Sequence, residues 1–136
     1  VGQGASGKLA AVNDNQQVVV TGVVEDVRPY LAYADVTCIP LATGSGTKYK
    51  VLEAFSAGVP VVCSPVAAEG LDLTHDTHVL IGETDEEIAS GILCILDDPQ
   101  LGNHLAKADL QGANPREIDP MIFASDRKHL RASGQR

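Results

Sequence analysis

The stretch that most limits what this chain can fold into is Gly44 to Gly70, GSGTKYKVLEAFSAGVPVVCSPVAAEG. A glycine-rich loop, Gly44-Ser45-Gly46-Thr47, leads into a helical pattern over Lys48 to Ala57, where Val51, Leu52 and Phe55 share one face. Gly58 stands where a helix commonly turns back through positive φ. Pro60-Val61-Val62-Cys63 then reads as a short buried strand, broken by Ser64-Pro65.

The start of that helix carries unusual chemistry. Unpaired N–H groups give a helix N-terminus partial positive charge, which favours carboxylates. Here Lys48 and Lys50 stand there instead, and no other Lys or Arg occurs between Pro29 and Ala106. An anion resting on the amides reconciles the two, and glycines let a ligand approach the backbone. The alternative is a solvated helix start with two surface lysines.

Similar short apolar runs recur along the chain. Gln17 to Gly22 is β-branched and predicts a buried strand. Glu25-Asp26 lead a helix over about Val27 to Ala34, with Pro29 tolerable in its first turn. Val36 to Leu41 and His78 to Ile81 read as further strands. Thr84-Asp85-Glu86-Glu87 opens a helix with acids suited to its dipole. That helix turns Ile88, Ile92, Leu93, Ile95 and Leu96 inward and stops at Asp97-Asp98-Pro99; a last helix spans about Leu101 to Leu110. Leu9 to Val12 reads as a short helix. Continuous apolar strands alternating with helices imply an α/β fold, a Rossmann-like parallel sheet with helices on both faces. Ligands of such sheets bind beyond the carboxyl ends of the strands. Gly22-Val23, Leu41 to Thr47 and Ser64 to Gly70 all fall at that edge.

A length of 136 residues suits one domain. The formal net charge of −8 argues against a general nucleic-acid binder or a polybasic membrane anchor. Aromatics, at 4%, are too few for a base-stacking platform. Cys38 and Cys63 lie in apolar runs and are expected as buried, reduced thiols, with Cys94 far from both. No C-x-x-C pair occurs and the four histidines lack ligand spacing, so no metal site is expected. Without a signal peptide or an apolar run of membrane length, the chain reads as cytoplasmic. It opens at Val1-Gly2-Gln3-Gly4 with no initiator Met and no room for a strand before the glycines, so it reads as a piece of a longer protein. From Asn114 onward the helical period fades, while Arg116, Arg127, Lys128, Arg131 and Arg136 supply half of the ten basic residues. Residues 1–113 are therefore read as the ligand-binding domain and 114–136 as an atypical tail.

Gly2 to Lys8 fits both G-x-G-x-x-G and G-x-x-x-x-G-K. Leu9 stands where a P-loop needs Ser or Thr. The strand at Val18 ends in Thr21-Gly22 rather than in the acid that NAD binding requires. An NAD- or ATP-binding module is thus the weakest of the readings.

Glu53 divides the remaining ones. It lies two helical turns beyond Gly46 and one turn from Tyr49 and Lys50. A carboxylate behind an anion-binding glycine loop can accept two hydroxyl hydrogen bonds from a ribose. Alternatively it is a surface Glu paired with Lys50 at i, i+3.

At these residues the chain resembles a known family. Gly44-x-Gly46-Thr47-Lys48-x-Lys50-Val51-Leu52-Glu53-Ala54-x-x-Ala57-Gly58-x-Pro60-Val61-Val62, followed by Pro65-x-x-x-Glu69-Gly70-Leu71, is similar to the nucleotide-sugar half of GT-B glycosyltransferases, the retaining group 1 set, family GT4. Thr21-Gly22-x-Val24-x-Asp26-Val27-Arg28-Pro29-Tyr30-Leu31 and Val1-Gly2-x-Gly4 resemble earlier blocks of the same enzymes in the same order.

The resemblance implies a C-terminal, donor-binding half of a two-domain enzyme that transfers a hexosyl group from a nucleoside diphosphate sugar. Glu53 matches the second glutamate of the family's E-x7-E motif, which binds ribose hydroxyls. Gly46, Thr47 and Lys48 match the loop that holds the diphosphate. Ser45 takes the first-glutamate position, facing the donor sugar, as in the G-x-G-T-K subgroup. Val23 falls near the seat of the base. No catalytic acid or base is assigned, and no cofactor or metal is implied. The implied partners are the donor and an N-terminal acceptor domain, through which the whole protein could associate with a membrane surface. By itself this piece is expected to be inactive. The alternative is a truncated remnant that only binds a nucleotide or a partner.

Overall fold

The computed structural model describes residues 1, 17–44 and 48–107. Two compact units divide the chain, Val1–Tyr30 and Leu31–Arg136. The predicted helix at Leu9 to Val12, the glycines of Gly2 to Lys8 and the tail from Asn114 lie outside the described residues.

In the first unit the predicted strand at Gln17 to Gly22 does not form. Val19 is 77% exposed and Val18 39%. Bulky β-branched side chains favour a strand only where a neighbour supplies the ladder and a core supplies the burial. Asp26 organises the start of helix α1 (Arg28–Tyr33). One oxygen of its carboxylate accepts from the Arg28 backbone N–H at 2.9 Å, and the guanidinium closes on both oxygens at 2.7–2.9 Å. These side-chain bonds from Arg28 hold the Asp26 carboxyl below the usual range.

The second unit is built on three parallel strands, β1 (Thr37–Ile39), β2 (Val61–Cys63) and β3 (Leu80–Ile81), in the order β1-β2-β3. Thr37 pairs with Val61 and Ile39 with Cys63; Val62 pairs with Leu80 and Cys63 with Ile81. Among the described residues the sheet therefore has three of the four expected strands. The central strand is fully buried, as its run of apolar residues requires. Helix α2 (Lys48–Ser56) packs on β1 and β2, and the single turn α3 (Pro65–Ala68) packs on α2. Val62 and Leu80 instead meet α4 (Asp85–Asp97), which carries α5 (Pro99–Ala106). Successive residues of a strand face opposite sides, so burial of Val61, Val62 and Cys63 together means cover on both faces.

The predicted turn at Gly58 is present. Its φ is +61°, its N–H donates to the Phe55 carbonyl, and Val59 N–H reaches back to Ala54. That pair of bonds closes the helix and sends the chain directly into β2.

Four expectations change. Cys38 is exposed rather than buried. It lies in register with Val62, but α4 covers that face over β2 and β3, leaving β1 covered on its other side. Leu93 and Leu96 are 59% and 49% exposed, while Ile88 and Ile95 are buried and Ile92 is partly buried. Positions i, i+4 and i+7 form the seam that meets the sheet; 93 and 96 lie about 100° past it. Finally, the loop expected after Ser64 holds α3, and the last helix begins at Pro99, two residues early, because Asp98 caps it by accepting from Gln100 and Leu101 N–H.

Candidate donor-binding site

The carboxyl edge of the sheet is tied together by hydrogen bonds between loops. Beyond β1, Leu41 N–H returns to the Ile39 carbonyl at 3.1 Å. Beyond β2, Ser64 N–H donates to the same carbonyl at 3.2 Å, and the Ser64 hydroxyl donates to the Leu41 carbonyl at 2.7 Å. Beyond β3, Gly82 N–H donates to the Cys63 carbonyl at 3.0 Å. Three strand ends are thus fixed side by side, and α2 sets out from the first of them.

Ser64 was not singled out by its sequence. A Ser-Pro step after a buried strand is a helix-start signature, with the hydroxyl as cap and proline in the first turn. The signature correctly marks α3, yet the hydroxyl makes no cap bond. It is used instead to anchor the neighbouring loop, and Ser64 is buried in doing so.

Helix α2 has no acidic residue in its first turn. Lys48 is its first residue, so the partial positive charge of the helix start is met by a lysine in the sequence and by no carboxylate. Val51, Leu52, Ala54 and Ala57 are buried, which fixes the rotation of the helix against the sheet. Tyr49 and Lys50 fall on the exposed side. Glu53 stands between these faces and is partly buried.

The carboxylate of Glu53 has no hydrogen-bond or ion-pair partner among the described residues. In particular, the i, i+3 pair with Lys50 is not made, and the described ion pairs are Asp26 with Arg28 and Asp76 with His75. Of the other residues expected at the site, Ser45, Gly46 and Thr47 lie outside the described residues. Val23 is 71% exposed and belongs to the Val1–Tyr30 unit. Among the described residues no three His, Cys, Asp or Glu side chains gather in a way that could hold a metal ion. Nor is any described helix long and apolar enough to cross a membrane.

A family model described as Glycosyl transferases group 1 matches residues 1–98, a span that includes all of the sheet and α2. No curated protein gives a significant match. With the parallel α/β layer and this match over most of its length, the chain belongs to the group 1 glycosyl transferases, and its chemistry is glycosyl transfer from a sugar donor.

Proposed function

We propose that this chain is the donor-binding, C-terminal half of a GT-B enzyme of the GT4 type, and that its donor is a nucleoside diphosphate hexose. Glu53 carries the reading. A partly buried carboxylate with no hydrogen-bond or ion-pair partner among the described residues keeps its lone pairs open, and the two hydroxyls of a ribose would fill them. Its position, on the helix that leaves the first of three tied strand ends, suits a ligand at the carboxyl edge.

In this reading the diphosphate lies against Gly46, Thr47 and the first amides of α2, with Lys48 adding a cation. Ser45 faces the sugar and Val23 lies near the base. As the glycosidic bond to the diphosphate breaks, negative charge grows on the leaving oxygen. Amide dipoles and a lysine already in place stabilise that charge without reorganising. The acceptor binds to a further domain, which completes the cleft.

Calorimetric titration of UDP, GDP and ADP into the chain and into Glu53→Ala tests this. One of the nucleotides should bind, and Glu53→Ala should weaken it by about 1–3 kcal/mol, the usual cost of losing charge-assisted hydrogen bonds. Equal affinity of both proteins would remove Glu53 from the site. Lys48→Ala should weaken the diphosphate that binds and leave its parent nucleoside unaffected.

A further inference from the structure

At the outer edge of β3 a compact loop is held by two histidine rings, both used as hydrogen-bond acceptors. The Nδ1 of His75 accepts the Ile81 N–H at 2.8 Å, and the Nδ1 of His78 accepts the Thr74 N–H at 2.9 Å. The backbone completes the loop. His78 N–H donates to the Thr74 carbonyl at 2.9 Å and Asp76 N–H to the Val79 carbonyl at 2.9 Å, while His75 forms a parallel bridge with Val79. Asp76 takes a left-handed conformation, φ +62°, that aspartate tolerates.

An imidazole nitrogen that accepts an N–H carries no proton, so both rings are neutral with hydrogen on Nε2. For His75, Nε2 lies 3.3 Å from the Asp76 carboxylate. The ring's Nδ1 is thus satisfied as an acceptor. It also satisfies the N–H of Ile81, on a strand with a sheet neighbour on one side only among the described residues. Such free edge groups are a standing template for unwanted strand pairing.

We infer that His75 and His78 form a proton-sensitive latch that closes the edge of β3 at neutral pH and releases it on acidification. A proton added at Nδ1 of His75 turns the acceptor into a donor facing another donor, and the bond to Ile81 N–H is lost. The same event at His78 undoes its bond to Thr74. Asp76 opposes the release, since its carboxylate attracts the imidazolium. It is the one carboxylate within 4.0 Å of a nitrogen of either ring among the described residues, and neighbouring β2 offers only the thiol of Cys63 as a titratable group. The opposition is partial, because Asp76 reaches Nε2 and cannot replace the acceptor at Nδ1. Release leaves the β2–β3 pairing intact and frees the Ile81 N–H at the edge.

Hydrogen exchange on the full chain at pH 7.5 and pH 5.5, expressed as protection factors, tests the latch. Protection at Ile81 and Thr74 should fall about tenfold, as expected for one broken hydrogen bond, while Val62 in the central strand keeps its protection. His75→Asn places an amide oxygen near the position of Nδ1 and does not titrate. It should retain Ile81 protection and abolish its pH dependence. Should that variant fail to fold, ¹⁵N shifts of the wild-type rings decide: hydrogen on Nε2 at pH 7.5 supports the latch, and hydrogen on Nδ1 overturns it. Parallel loss at Val62, or an unchanged pH dependence in His75→Asn, would also overturn it.

Discussion

Glu53 and Cys63 show how differently one compact unit can treat two ionisable groups. Glu53 is partly buried and keeps an open hydrogen-bonding capacity, whereas Cys63 is fully enclosed and cannot easily become an anion. Burial, followed by the nearby Cys38, pushes the Cys63 thiol up to about 11. The unfolded thiol ionises near 9.0, so the folded chain holds this proton longer. Stability is unaffected below that value and falls as pH rises toward about 11, by about 2–3 kcal/mol if the shift is fully expressed. Cys63→Ala should lack this alkaline step in urea titrations at pH 8 and pH 10.5. Thiol labelling at pH 8 should modify exposed Cys94 and Cys38 and spare Cys63 until the chain unfolds. Gly82 makes a different demand. A Cβ there would stand 2.8 Å from the Ile88 backbone nitrogen and 2.9 Å from its side chain. Gly82→Ala should destabilise by about 1–3 kcal/mol, an overpacking cost visible as a lower urea midpoint. That glycine looks ordinary in the sequence, because the close approach it permits comes from a helix that starts three residues later.

Among the elements, α4 is the one whose beginning the sequence spells out most fully. Thr84 accepts the Glu87 N–H, the Glu87 carboxylate returns to the Thr84 N–H, and three acids occupy the first turn. Thr84→Ala should cost about 0.5–2 kcal/mol, measured by thermal or urea unfolding, with a smaller penalty for Thr84→Ser. The start, length and type of α4 were legible because capping is local chemistry. Its inward face was only half legible, since Ile88, Ile92 and Ile95 cannot be told from Leu93 and Leu96 by hydrophobicity alone. Only the placement of the sheet selects the seam. The same limit explains Gln17 to Gly22, whose residues favour a strand but whose pairing is not encoded in the run itself. It explains Cys38 too: a strand's own residues do not say whether both its faces are covered. The candidate site was legible in another way. The helix start with lysines, the glycine turn and the buried strand stand together in one stretch, and Glu53 follows at fixed helical spacing. Ser64 stayed hidden because its partner, the Leu41 carbonyl, lies 23 residues away in the sequence.

For the whole molecule, the short reversal between α2 and β2 has a consequence for how the enzyme could evolve. Ala57, Gly58, Val59 and Pro60 turn the chain back with no slack, and Ala57, Val59 and Pro60 are buried. Helix and strand are thereby meshed like two gears on fixed shafts: the phase of α2 about its own axis is set by where β2 sits in the sheet. One alanine inserted between Phe55 and Ala57 would leave charge and composition nearly unchanged. It would either advance the helix by about 100°, turning Glu53 away from its present direction, or force the turn to bulge and lose the bonds around Gly58. In the first case circular dichroism should show a folded chain that has lost the nucleotide binding proposed for Glu53; in the second, both folding and that binding should weaken. Variation in this region is therefore expected as substitution rather than as change of length.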